Sequence, residues 1–377
     1  MENITQKHTA HVLAVVYPVQ GHICPMLQFC RRLVSKGAES AAAYLARFET
    51  VGSQALGDLI EEHLGTHDPI TCIMYDAFLP WGLNVAKKYG IFGAAFFTQP
   101  CGLTESYPAY LELVLNQYSN LDEADFVLVN TIYELEEEIV DVMSKECPLL
   151  TIGPTIPSFY VDKRIPHDKE YGLSLYPIDP TPITKWLSTK SPKSVVYVSF
   201  GSMACLTKAQ IEELAWGLKQ SKYHFLWVVR ASEEHKLPNG FADELAAKGL
   251  IVRWCPQLEV LSSEAIGCFF THCGWNSTLE ALVLSVPLIG MPQWTDQPMV
   301  AKLVEGLWKV GVRVKVNEEG LIRREEIVER VIEVMEEKRV EFIENAKKWL
   351  DLMKKAMSKG GSSDRNIDEF ISKILRS

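Results

Sequence analysis

Two consecutive α/β domains, each built on a parallel sheet, are what this sequence predicts, and three observations carry the prediction. Short apolar runs alternate with segments of helical period along the chain, the pattern of strands joined by crossover helices. At 377 residues and 47% hydrophobic composition, the chain exceeds one ordinary core and suffices for two. Between 153 and 182 the periodicity lapses, and Pro154, Pro157, Pro166, Pro177, Pro180 and Pro182 mark an extended connector. The expected domains are therefore 1–152 and 183–377, with 153–182 as the linker.

The first domain opens with the apolar run His11 to Pro18, a buried strand, and Met26, Leu27, Phe29, Cys30 and Leu33 then recur at helical spacing from Pro25 to Ser35. Further strands are predicted at Ile70 to Tyr75, Ile91 to Phe97 and Phe126 to Val129, with helices at Trp81 to Tyr89 and Tyr107 to Asn116. Glu39 to Leu64 reads as one long helix. In the second domain the strand-like runs are Ser194 to Phe200, Phe225 to Val229, Leu250 to Trp254, Ile266 to Thr271 and Pro287 to Met291. From Arg324 onward the chain is charged and helical in period, with Ile327, Val331, Val334 and Met335 on one face. Two Rossmann-like sheets in tandem point to a ligand held in a cleft near the carboxyl ends of the strands.

The bulk chemistry excludes several partners. A net charge of −10, with Lys and Arg dispersed among Glu, argues against nucleic acid and anionic membranes. The first ten residues lack the apolar core of a signal peptide, and no apolar run reaches the length of a membrane span. Nine cysteines without metal-type spacing suit buried thiols of a reducing compartment, so a cytoplasmic address is expected. A monomer is the expected state.

Function is concentrated between Ile266 and Gln297. An apolar strand runs into Thr271-His-Cys-Gly-Trp-Asn-Ser277 and then a helix, where Gly274 allows a tight turn and Asn276 and Ser277 are candidate caps. Helix amides and the helix dipole at such a point make an anion site suited to a diphosphate, and His272 could donate to the same anion. Glu280 is placed to reach ribose hydroxyls, and Asp296 and Gln297 offer side chains suited to sugar hydroxyls. A dehydrogenase is disfavoured because no Gly-X-Gly-X-X-Gly follows the first strand. Asp122-Glu-Ala-Asp125 lacks the Walker A partner that a helicase needs.

The segment Trp254 to Gln297 resembles the plant secondary-product glycosyltransferase box of family 1 UDP-sugar transferases, in spacing as well as residue type. The resemblance extends to Tyr17-Pro-Val-Gln-Gly-His22, Asn130-Thr-Ile-Tyr-Glu-Leu135, Val196-Tyr-Val-Ser-Phe-Gly-Ser202 and Leu226-Trp-Val-Val-Arg230. It implies a GT-B fold and glucose transfer from UDP-glucose, as co-substrate, to a hydroxyl or carboxyl of a small apolar acceptor. The implied roles are Trp254 stacked on uracil, Gln257 beside the nucleoside and Glu280 on the ribose. His272, Asn276 and Ser277 would hold the diphosphate with Ser202 nearby, while Trp275, Asp296 and Gln297 would contact the sugar. Gln297 resembles the glucose-preferring form of the box. His22 takes the place of the family's general base, oriented by Asp76, and Thr98 matches a position near the sugar 6-hydroxyl. Neither a metal nor another cofactor is implied, and the chain has no Asp-X-Asp motif.

The first domain departs from the family. The family's second and third strands are expected to be missing after Gly37, and its long acceptor-lining segment after Cys101, about seventy residues in all. A binding-only or hydrolysis-only UDP-sugar protein is the alternative that this shortening raises.

Overall fold

The computed structural model describes residues 11–17, 20–35, 39–40, 44–45, 49–66, 69–101, 117–171, 179–241 and 248–375. The chain divides into two compact units, cut between 174 and 175 and again between 352 and 353, so that residues from 353 onward belong to the first unit.

In the first unit β1 (His11–Val16) leads into α1 (Gln20–Ser35), and two very short strands, β2 (Glu39–Ser40) and β3 (Tyr44–Leu45), precede α2 (Glu49–His63). Then follow β4 (Ile70–Asp76), α3 (Trp81–Tyr89), β5 (Phe92–Phe97), β6 (Phe126–Val129), α4 (Glu137–Met143) and β7 (Leu149–Thr151). The sheet order is β2-β1-β4-β5-β6-β7, with β3 also pairing β1. Every pairing is parallel. Four strands are apolar almost throughout because helices can cover both faces. Leu13, Val15, Ile73, Ala95 and Val127 form a core with Leu56 and Ile60 of α2 and Leu83 and Ala86 of α3.

Two sequence expectations change here. Glu39 to Leu64 is not one helix: its first part supplies the edge strands β2 and β3, so the positions thought to be stripped from the sheet survive as two-residue remnants paired to β1. The predicted helix Tyr107 to Asn116 lies outside the described residues.

The second unit runs α5 (Thr181–Ser188), β8 (Val195–Ser199), α6 (Lys208–Gln220), β9 (His224–Val228), β10 (Gly249–Val252), α7 (Gln257–Leu261), β11 (Ile266–Thr271) and α8 (Trp275–Val283). It continues with β12 (Leu288–Gly290), α9 (Gln297–Lys302), β13 (Gly311–Arg313), α10 (Arg324–Ile332) and α11 (Arg339–Met357), whose last residues count with the first unit. Its six parallel strands are ordered β10-β9-β8-β11-β12-β13, which is the doubly wound order with its switch point between β8 and β11. Ile327, Val331, Val334 and Met335 are buried in its core, as their spacing predicts, against Leu214 and Leu218 of α6 and the sheet residues Val196 and Phe270.

Residues 153–171, inside the span predicted as a connector, carry tertiary structure of the first unit. Asp168 accepts from the Gln28 side chain at 2.5 Å and from the Ser158 amide at 2.7 Å. The last helix, α12 (Ser362–Ile374), packs on this unit. Ser363 Oγ donates to the Gly153 carbonyl at 2.8 Å, Asn366 Nδ2 to the Thr151 carbonyl at 2.8 Å, and Phe370 meets Phe126 edge-on at 4.9 Å. Arg164 donates to Asp364 and to the Met357 carbonyl, both at 2.8 Å. No helix among the described residues is long and apolar enough to cross a membrane.

Candidate active site

The first cluster forms where three neighbouring strands of the first unit end. Val15 of β1 stands opposite Tyr75 of β4, and Asp76 opposite Phe96 of β5, so residues just beyond these pairs converge although far apart in sequence. His22 lies in the first turn of α1, Asp76 is the last residue of β4, and Thr98 follows β5. Asp76 Oδ2 lies 2.7 Å from His22 Nδ1, and Thr98 Oγ1 lies 3.0 Å from the same nitrogen. The other carboxylate oxygen, Oδ1, accepts the Phe78 amide at 3.0 Å. Asp76 is 1% exposed and His22 8%. The imidazole is further held by Phe78, 4.9 Å between ring centres, and by Tyr17 edge-on at 5.4 Å. A histidine with Nδ1 tied to a buried carboxylate has Nε2 as the nitrogen for proton exchange.

The second cluster lies in the second unit at its switch point. Ser199 of β8 pairs with Thr271 of β11, so the loops carrying Ser202 and His272 leave the sheet side by side. Cys273 takes a left-handed φ of 60° and turns the chain into α8. The cap of α8 is Gly274, with Asn276 and Ser277 inside the first turn rather than at the cap as the sequence suggested. A glycine cap brings no side chain to close over the first amides, which suits an anion-binding helix start.

Two glycines shape the His272 ring site. A Cβ on Gly201, whose φ is 73°, would fall 2.8 Å from His272 Nε2, and one on Gly274 would fall 2.5 Å from it. Nε2 therefore sits between two bare backbone segments. Thr271 Oγ1 lies 3.3 Å from Nδ1. Burial lowers the His272 pKa from 6.5 to about 4, so at neutral pH the ring is an uncharged imidazole, and the residue as a whole is partly buried.

The remaining donor candidates take several orientations. Gln257 Nε2 donates to Ser277 Oγ at 2.9 Å and to Glu280 Oε2 at 2.8 Å, which joins the predicted nucleoside and ribose residues in one network. Trp254, two residues beyond β10, is partly exposed. Gln297 Oε1 accepts the amides of Gln293 and Trp294 at 2.9 and 3.2 Å, and Asp296 accepts the Thr295 hydroxyl at 2.7 Å. Trp275 is 3% exposed and packs on Trp308 at 6.0 Å.

Arg230 ends the motif Leu226 to Arg230 and had no assigned role. Its guanidinium donates to the carbonyls of Ser202 and Ala204, pinning the loop that carries Ser202. Among the described residues no group of three His, Cys, Asp or Glu side chains is placed to hold a metal ion.

Comparison with known proteins settles the family. The family described as UDP-glucoronosyl and UDP-glucosyl transferase matches residues 159–352. UDP-glycosyltransferase 74F2 of Arabidopsis thaliana is 46% identical, over 97% of this chain and 98% of that one. The chain belongs to this family. It is a UDP-dependent glycosyltransferase with two Rossmann-like halves of the GT-B type. Flavonol 7-O-beta-glucosyltransferase UGT74F1, also from Arabidopsis thaliana, is 44% identical over 98% of this chain and 99% of its own length. Among solved structures, Os79 from O. sativa in complex with UDP is similar with a TM-score of 0.90 and 34% identity, covering 96% of this chain and 100% of that one. Aligned to 74F2, 97% of 377 residues are spread over 442 positions, so about seventy-six positions have no counterpart in this transferase. The shortening expected from the sequence is thus internal. Coverage of both halves favours an enzyme over the binding-only alternative.

Proposed function

We propose that this glycosyltransferase moves glucose from UDP-glucose, with inversion at the anomeric carbon and without a metal, to a hydroxyl or carboxyl group of a small apolar acceptor. The observation that carries the reading is the His22 and Asp76 pair, closed at 2.7 Å with the carboxylate buried. A hydroxyl acceptor gives its proton to His22 Nε2. The freed oxygen pair forms the bond to C1 of glucose while the bond from C1 to the UDP oxygen breaks, and the electrons of that bond leave on UDP. Asp76 stabilises the imidazolium so formed. A single displacement inverts the configuration.

Negative charge grows on the diphosphate as the bond breaks. The first turn of α8, Ser277, Ser202 and the neutral N–H of His272 are the groups that meet it, in the role a divalent cation plays elsewhere. Glu280 accepts from the ribose, Trp254 lies on the uracil, and Asp296 and Gln297 hold the sugar. Thr98, whose hydroxyl lies 3.0 Å from His22 Nδ1, meets the same ring nitrogen as Asp76 and helps to orient the imidazole. The acceptor class is supported by one relative named for flavonol glucosylation and by a related structure, 25% identical, bound to pterostilbene.

The test is incubation in EDTA with UDP-glucose and a panel of flavonoid, triterpenoid, steroid and carboxylate acceptors, read by mass spectrometry. Glucosides are expected from the native enzyme, with kcat for hydroxyl acceptors lowered about a hundredfold or more in His22→Ala. Failure with every acceptor, or near-full activity of His22→Ala, overturns the reading. UDP-galactose as a second donor reads the role of Gln297, which predicts a preference for UDP-glucose in kcat/KM.

A further inference from the structure

The donor half contains a buried polar chain whose inner members, Tyr197 and Cys255, are given no role by the motif or the reaction. It starts at Tyr197, in the middle of β8, a residue 1% exposed whose ring stacks on Phe269 at 4.6 Å. Its hydroxyl lies 3.1 Å from Cys255 Sγ and donates to Gln257 Oε1 at 3.1 Å. Burial pushes the Tyr197 phenol well above its ordinary value and the Cys255 thiol up to about 12, so both keep their protons at neutral pH. A phenol has one proton to give. With that proton on Gln257 Oε1, the thiol becomes the donor to the phenol oxygen, and the chain has a single direction.

That direction matters because an amide side chain is nearly symmetric in shape and opposite in polarity at its two ends. With Oε1 held by Tyr197, Nε2 is turned to Glu280 Oε2 at 2.8 Å and Ser277 Oγ at 2.9 Å. The Glu280 carboxylate is thereby anchored through Oε2. Ser277 Oγ receives a hydrogen from the amide and sends its own hydrogen elsewhere. If the amide were reversed, Oε1 would oppose the carboxylate and draw the Ser277 hydrogen back to itself.

We propose that Tyr197 is a positioning residue of the donor site. Its hydroxyl fixes the Gln257 amide in one orientation, and so anchors the Glu280 carboxylate for a nucleotide ribose and leaves the Ser277 hydrogen for the diphosphate. The inference rests on the reading of Glu280 as the ribose residue, and the experiment separates the two.

Tyr197→Phe keeps the ring and its stacking and removes only the hydroxyl. UDP and 2′,3′-dideoxy-UDP are titrated calorimetrically into the native enzyme, Tyr197→Phe and Glu280→Gln. The native enzyme is expected to prefer UDP. Tyr197→Phe should bind UDP about tenfold more weakly, and its preference for UDP over the dideoxy compound should fall about fivefold, the scale of one charge-assisted hydrogen bond. Loosened packing would weaken both ligands alike, so an unchanged preference in Tyr197→Phe overturns the inference whatever happens to overall affinity. If Glu280→Gln loses the preference while Tyr197→Phe keeps it, only the role of Tyr197 fails. If Glu280→Gln keeps it, the ribose reading fails and takes the inference with it. Gln257→Met, which removes both ends of the amide, should lose the preference as Tyr197→Phe does, and its retention there also refutes the proposal.

Discussion

Asp76→Asn probes the catalytic pair with a change of one atom, and the structure says which way the new amide must lie. Asp76 Oδ1 accepts the Phe78 amide at 3.0 Å while Oδ2 faces His22 Nδ1 at 2.7 Å. An Asn NH2 cannot accept, so the amide oxygen stays with Phe78 and the NH2 turns to His22. Two donors would then meet unless Nδ1 gives up its hydrogen, which moves the proton to Nε2. In that tautomer Nε2 cannot accept a proton from the acceptor. Holding the productive tautomer against a facing donor costs about 2–3 kcal/mol, roughly a hundredfold in its population. Loss of the carboxylate opposite the imidazolium removes about another factor of ten. The expected fall in kcat is about 10³-fold, within the range of general-base effects. Affinity for UDP should not change, since the groups assigned to the nucleotide belong to the other unit. Initial rates of UDP release and calorimetric UDP binding provide the measurements. A kcat within about fivefold of native, or a parallel loss of UDP affinity, would refute the tautomer argument. The double variant with His22→Ala should be no slower than His22→Ala alone, because the two residues act as one unit.

Two further outcomes follow from the donor loop. Gly274 has φ −61° and ψ 143°, which alanine adopts readily, so Gly274→Ala acts only through a Cβ 2.5 Å from His272 Nε2. The ring must move, and UDP affinity by calorimetry should fall about tenfold with a stability loss of about 1–2 kcal/mol; undiminished affinity would show that the ring is not part of the site. His272 has a folded-state pKa near 4 against 6.5 unfolded, so the unfolded chain takes up the proton first as pH falls. Its contribution is complete above about pH 6.5 and is lost progressively toward pH 4, by up to about 3 kcal/mol. The Tm difference between pH 7.5 and pH 5, measured without nucleotide, should therefore shrink in His272→Gln, and an unchanged difference would remove His272 as the source.

Legibility of this molecule in its sequence follows the length of each signal. Phe126–Val129 and Ile266–Thr271 were read with their observed bounds because apolar runs ended at turn residues. Leu149–Thr151 and Gly311–Arg313 were missed, since three residues give no period to detect. Glu39–Ser40 and Tyr44–Leu45 were absorbed into a helix for the same reason, and only their pairing to β1 identifies them. His22 and Asp76, 54 residues apart, were nominated through the resemblance, and parallel register brings them together. Tyr197 was invisible as a polar residue, since a tyrosine inside a fully buried strand reads as core, and its hydroxyl acquires meaning only from Gln257 60 residues later.

The return of α12 to the first unit constrains how the two halves can be exchanged between relatives. A single crossover near 174 would leave Ser363, Asn366 and Phe370 of one parent against Gly153, Thr151 and Phe126 of the other. A chimera that moves the sugar-nucleotide half as a cassette needs two junctions, one near 174 and one near 352, so that the clamp of Arg164 on Asp364 stays within one parent. Libraries recombined at one site would sample this broken contact in every member, and their failures would say nothing about donor or acceptor compatibility.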